Sequence, residues 1–259
     1  SGGNTTAGLD GFTIAGGLAN QPGTFNKQNG AGILNNGAIL TLQNLLITHN
    51  EAPGSPGNGQ PGNGGGLYNI NSSSVISNVV ISHNQSSRYG GGIYNEGSDL
   101  ILIAVTFSNN TAVWDGGGLY NQDGSPVLQN VLFSQNQGRS GAGMFTLNGD
   151  ASLTNVTFQG NNASSRGGGL TNALGSDSLL LNVLFTGNEA DFFGGAMFND
   201  GSNPTLTQVT ISGNWATTCT TPSFCGGGLF NLNSSPQIRN SLIANNRERS
   251  NTGTATANL

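Results

Sequence analysis

Charge is scarce in this chain. Only 7 % of its 259 residues are Asp, Glu, Lys or Arg, against about 25 % in an ordinary globular protein. One lysine and six arginines leave a net charge of −5, which excludes a nucleic-acid binder needing a basic face to neutralise phosphates. No apolar run approaches the roughly 18 residues of a membrane-spanning helix. No segment sustains a 3.6-residue apolar period, so amphipathic helices are not expected. Ser1 opens a Gly/Asn-rich stretch without a basic n-region or an apolar h-region, so no signal peptide is expected in it. Cysteine is limited to Cys219 and Cys225. Their spacing suits a disulfide closing a small loop in an oxidising compartment, with free thiols or metal ligation as alternatives.

Glycine and asparagine fill the gap left by charge, with 43 Gly and 37 Asn. Low charge with much glycine could signal disorder, but the 34 % hydrophobic residues recur in register. A Gly-rich block followed by two apolar residues and Asn appears eight times. Its copies begin at Gly30, Gly64, Gly90, Gly116, Gly141, Gly167, Gly194 and Gly226. All close on Asn, Asn35 and Asn69 being the first two, except the fifth, which closes on Thr146. A second block, apolar-x-x-Asn, alternates strictly with the first and ends at Asn50, Asn84, Asn110, Asn136, Asn161, Asn188, Asn214 and Asn246. The steps are 34, 26, 26, 25, 27, 26 and 32 residues.

About 26 residues per repeat, cut by turn residues into segments rich in Val, Ile, Phe and Tyr, hold two or three short strands. Such a unit is one coil of a β-solenoid, with equivalent positions stacked about 4.8 Å apart. Nine coils give a rod of roughly 40 Å. The column from Leu67 to Leu229 and the column Ile47, Ile81, Phe107, Phe133, Phe158, Phe185, Ile211, Ile243 are expected in the core. The Asn50-to-Asn246 column is expected at a turn, its amides bonding backbone and the Asn above and below. A second ladder is read in Asn44, Asn78, Asn130, Asn155, Asn182 and Asn240, with Ala104 and Gln208 as exceptions. The chain reads as one domain over 1–259: a partial coil and insertion over 1–29, regular coils over 30–246, and a polar tail over 247–259.

Phe107 to Asn110 with Gly116-Gly117-Gly118-Leu119, and Phe185 to Asn188 with Gly194-Gly195-Ala196-Met197, resemble the repeats of bacterial polymorphic outer-membrane proteins and related β-helical surface domains. The resemblance covers about residues 9–246. It implies an all-β, right-handed parallel β-helix, export to the cell surface or beyond, and an adhesive or structural role.

Departures from the repeat are the places to look for function, because loops carry it. Insertions at about Glu51–Asn63 and Trp215–Cys225, and the segment 15–29, occupy one slot of the coil and should emerge along one edge. The same edge carries Arg88, Trp114, Arg139, Phe192 and Phe224 two residues before their Gly blocks. One residue before come Tyr89, Asp115, Phe193 and Cys225. Stacking would bring Arg88, Trp114 and Arg139 within cation–π reach, and would cluster Phe192, Phe193, Phe224 and Trp215 further along. These nine residues other than Cys225 are the candidate ligand-binding set.

The reading is a non-catalytic surface protein of structural or adhesive type, able to assemble end to end into filaments. The alternatives are a carbohydrate-binding module using the aromatic edge, and a polysaccharide lyase or hydrolase. The twelve acidic residues are too scattered for an obvious catalytic carboxylate pair. His49 and His83 are placed to stack on adjacent coils. No cofactor and no metal site are expected. The expected partners are further copies of the chain, surface glycans or host proteins, and neither nucleic acid nor a membrane span.

Overall fold

The computed structural model describes residues 6–21, 28–55, 60–219, 225–250 and 253–256. One coil shows how the sequence sets the path. After the block Gly116–Gly118 the chain extends as Leu119–Gln122 and turns through Asp123 at φ 53°. It extends again as Val127–Gln129 and Leu132–Ser134, bent between them at Asn130, φ 56°. A further left-handed residue, Gln135 at φ 56°, leads through Asn136 into Gln137–Ser140. Gly141 then begins the next coil. The three faces form three sheets of 16, 8 and 9 strands, called here the long, tyrosine and edge sheets.

Successive coils pair in parallel and in register. Leu119 lies opposite Met144, Phe133 opposite Phe158, and Gln137 opposite Asn162. Asn recurs at the bends because its short amide tolerates the left-handed region better than branched or bulky side chains do. The first glycine of all eight blocks has positive φ. The second allows close passage: a Cβ on Gly117 would collide with the carbonyl oxygens of Gln137 and Ala142.

The interior is built from columns, as the repeat requires. Phe107, Phe133, Phe158 and Phe185 are fully buried and stack ring on ring with centroids 4.7, 4.8 and 4.7 Å apart. That spacing matches the strand repeat of about 4.8 Å. Each buried Phe contributes about 1.5–3 kcal/mol. Isoleucines Ile47, Ile81 and Ile211 continue the column, and Leu67 through Leu229 form a facing one within the same cluster.

The Asn50-to-Asn246 column is buried, with the left-handed residue one position earlier, at His49, His83 and Asn109 among others. Asn136 illustrates its bonding. Nδ2 donates to Phe107 O at 3.0 Å and to Asn161 Oδ1 at 2.9 Å. Oδ1 accepts from Asn110 N and Nδ2 at 3.1 and 3.0 Å. The amide therefore ties three coils together while leaving no buried polar group unpaired, the condition for burying an amide at all. A third Asn column, formed by the residue closing each Gly block, makes a further ladder. Asn35, Asn69, Asn95 and Asn121 are buried and joined by Nδ2–Oδ1 bonds of 2.7, 2.9 and 2.7 Å. At the break, Thr146 Oγ1 donates to Asn172 Oδ1 at 2.8 Å.

Both ends differ from regular coils. Thr6–Asp10 and Thr13–Ala15 pair with Ile39–Gln43 and Leu46–Thr48, completing the long sheet, and Leu18 adds a single bridge to Glu51 of the edge sheet. At the other end the sequence predicts only a polar tail over 247–259. Instead, Gly253–Thr256 runs back antiparallel along Arg247–Ser250 and becomes the outermost strand of the edge sheet. A strand tethered to its own chain fills that open row of N–H and C=O groups without the entropic cost of recruiting a second molecule.

Candidate site along the edge sheet

The edge is organised by its corner into the Gly blocks. Asn29, Asn63, Tyr89 and Asp115 follow one another there in successive coils. Asn63 N donates to Asn29 Oδ1 at 2.8 Å, and Tyr89 N to Asn63 Oδ1 at 3.2 Å. Within the insertion after Glu51, Ser55 pairs antiparallel with Gln60. Six coils away in the same sheet, Trp215–Cys219 begins the second insertion. Cys225 is disulfide-bonded.

Five of the candidate residues meet. Arg139 Nε and Nη2 donate to the two oxygens of Asp115 at 3.1 and 2.9 Å, a bidentate pair. The hydrogen bond to Asp115 raises the Arg139 pKa further, against partial burial. The Arg139 side chain is 48 % exposed, so the pair adds under about 1 kcal/mol of stability. Its effect is to orient the guanidinium. Arg139 lies over the Trp114 indole at 4.7 Å, and Arg88 lies over the same indole at 5.5 Å and over Tyr89 at 4.6 Å. Tyr89 meets Trp114 edge-on at 5.9 Å. The indole therefore lies against two cations of its own chain, at 4.7 and 5.5 Å, while remaining partly exposed.

Beneath the ridge lies a column that the sequence reading missed, although its signal is the residue preceding Asn in each Gly block. Tyr68, Tyr94 and Tyr120 are buried on the outer side of the tyrosine sheet and stack at 4.9 and 5.3 Å. Tyr89 folds over this column, 4.4 Å from Tyr120. Tyr94 Oη donates to Glu96 Oε2 at 2.8 Å. Burial pushes the phenol pKa values of Tyr68, Tyr94 and Tyr120 upward, aided at Tyr94 by that bond.

The second expected cluster forms only in part. Phe192 and Phe193 touch at 6.4 Å, and Phe193 packs on Phe230 at 4.8 Å. Arg166 lies over Phe198 at 5.1 Å and Phe193 at 6.0 Å. Trp215 does not join them. Among the described residues it contacts no other ring, because it lies within the edge sheet, in register between Glu189 and Arg247. Phe224 lies outside the described residues. Beside the ridge a shallow groove of about 280 Å³ is lined by Thr111, Val113, Gln137, Asn162 and Ser164. Its polar lining is amide and hydroxyl.

The parallel columns, the αL bends and the alternating blocks meet in one finding. The model of the right-handed beta helix region matches residues 91–258. The chain belongs to this family. The repeat of the Chlamydia polymorphic membrane protein matches residues 78–96. No curated protein and no solved structure matches the chain.

The β-helix therefore carries a repeat of the kind that builds a bacterial outer-membrane surface protein. The matched repeat runs from Asn78 to Glu96 and includes Arg88, Tyr89 and Tyr94, so the ridge grows directly out of it. His49 and His83 stack on adjacent coils as expected, with centroids 5.0 Å apart and planes 1° apart. Among the described residues no three or more His, Cys, Asp or Glu side chains gather as a metal-binding group.

Proposed function

We propose that this β-helix is a non-catalytic, surface-exposed adhesive module whose contact surface is the edge running from Arg88 to Phe193. The observation that carries the reading is the Arg88–Trp114–Arg139 stack. An indole 41 % exposed lies between two guanidinium groups, of which Arg139 is fixed by the bidentate Asp115 carboxylate, on a stiff, repeating backbone. Arg and Trp in such settings dominate binding energy at recognition surfaces, and rigid positioning lowers the entropic cost of engagement. The surface location is supported by the polymorphic membrane protein repeat.

The test is retention of the purified chain on mucin- and biofilm-coated surfaces, comparing wild type with Trp114→Ala and Arg139→Gln. The expected result is at least a fivefold loss of retention with an unchanged melting temperature. Equal retention of wild type and both variants would remove the edge from the mechanism. Release of reducing sugars from a glycan panel would replace the adhesive reading with an enzymatic one.

A further inference from the structure

Three of the six arginines in a chain of net charge −5 fall on one edge within four successive coils, at Arg88, Arg139 and Arg166. By the strand repeat the row spans about 14 Å. All three guanidinium groups rest on aromatic rings. Among the described residues the one side-chain ion pair is Arg139–Asp115. Among the described residues Arg88 and Arg166 thus have no carboxylate partner, and no side-chain hydrogen bond there takes up their N–H groups. The N–H fork, the part that matches a carboxylate, is left for a ligand.

We propose that this row binds a carboxylate-bearing polysaccharide laid along the helix axis. The proposal rests on the adhesive reading of the edge and names its ligand class. Three arguments select this class. Two guanidinium groups already lie over the Trp114 indole, at 4.7 and 5.5 Å, so a neutral sugar ring stacking there would compete with them. The adjoining groove, lined by Thr111, Gln137 and Asn162, offers hydroxyl and amide partners for sugar hydroxyls. Three cations on an acidic protein are too few for the dense phosphate charge of a nucleic acid, whose binding depends on neutralising many phosphates at once. An extended polymer, unlike a small anion, can reach cations spread over several coils, and multiple weak contacts then reinforce one another.

The test is calorimetric titration of the whole chain with alginate and with hyaluronan, with dextran as the neutral polymer and poly-glutamate as the acidic peptide. Wild type is expected to bind both uronate polymers, more weakly as salt rises, since exposed charge pairs are screened. The double variant R88Q/R166Q is expected to lose at least tenfold in affinity, and R88K/R166K to recover part of that loss. Melting curves confirm that each variant is folded. Absence of binding to both uronate polymers, or binding that the double variant leaves unchanged, overturns the proposal. Equal affinity for poly-glutamate overturns the glycan assignment in favour of an acidic protein partner. If the R88Q/R166Q variant still adheres to the coated surfaces while Trp114→Ala does not, the adhesive edge stands and its acidic ligand falls. If no edge variant affects adhesion, the underlying reading fails with it.

Discussion

Two of the three asparagine columns of this rod invite comparison, being built from the same residue at the same axial repeat. One, through Asn84, Asn110 and Asn136, is 0 % exposed and continues without a gap for eight coils. The other, through Asn44, Asn78 and Asn130, lies on the surface. Its amides also bond from coil to coil, at 2.6 Å from Asn78 to Asn44 and 3.1 Å from Asn155 to Asn130. Yet it is broken by Ala104 and Gln208, both at positive φ like the asparagines they replace. The difference is solvent. A gap in the buried column would strand amide and carbonyl groups with no water to take over. A gap in the exposed column hands the same groups to water at little cost. The exposed column is retained mainly for its left-handed bend and the buried one for its bonds.

The sharpest way to break this comparison is Asn136→Ala. It strands at least the Asn110 N–H and the Phe107 carbonyl, and the expected loss is about 2–5 kcal/mol from unpaired buried polar groups, read by chemical denaturation. A loss under about 1 kcal/mol would show that water enters the ladder. Next comes pH. Tyr68, Tyr94 and Tyr120 have folded-state pKa values raised above the ordinary phenol value by burial. Their contribution is complete below about pH 10. It is lost as pH rises toward the folded-state values, because only the unfolded chain releases the protons. The fall is about 1.4 kcal/mol per pH unit for each tyrosine. Absorbance at 295 nm should show these three phenols ionising together with unfolding, and independent ionisation in the folded state would contradict the burial seen here.

A smaller effect sharpens the contrast from the other side. Ala104→Asn restores the exposed ladder at a left-handed position where alanine is strained, and is expected to stabilise by up to about 1 kcal/mol. A decrease in melting temperature would refute that account of the bend. Smallest of all, Asn155→Ala on the surface should stay within about 0.5–1 kcal/mol, the range of surface changes with a modest backbone cost. If it equals Asn136→Ala, burial is not the controlling variable.

Legibility followed the repeat. Asn50-to-Asn246 and the Phe stack could be read because one residue type recurs at one spacing and each position admits one physical role. The ridge was partly legible. Arg88, Trp114 and Arg139 share a slot, but their contact depends on side-chain direction, which spacing alone does not give. Trp215 was misplaced for that reason, since its slot is shared with the edge strands rather than with Phe192 and Phe193. The tyrosine column was visible as Tyr68, Tyr94 and Tyr120 preceding Asn. It was overlooked because an outward position in a strand is ordinarily solvated, and only the folded edge shows Tyr89 lying over it.

Sequence by itself determined the coil: its length, its glycine corners and its apolar columns, because a stacked repeat turns every local choice into a column. Tertiary structure alone decided which columns water reaches. It also decided that Arg139 pairs with Asp115 across adjacent coils, and that the last strand folds back on its own sheet. Those outcomes depend on which groups compete for the same partner in space, and that competition is not written in the order of residues along the chain.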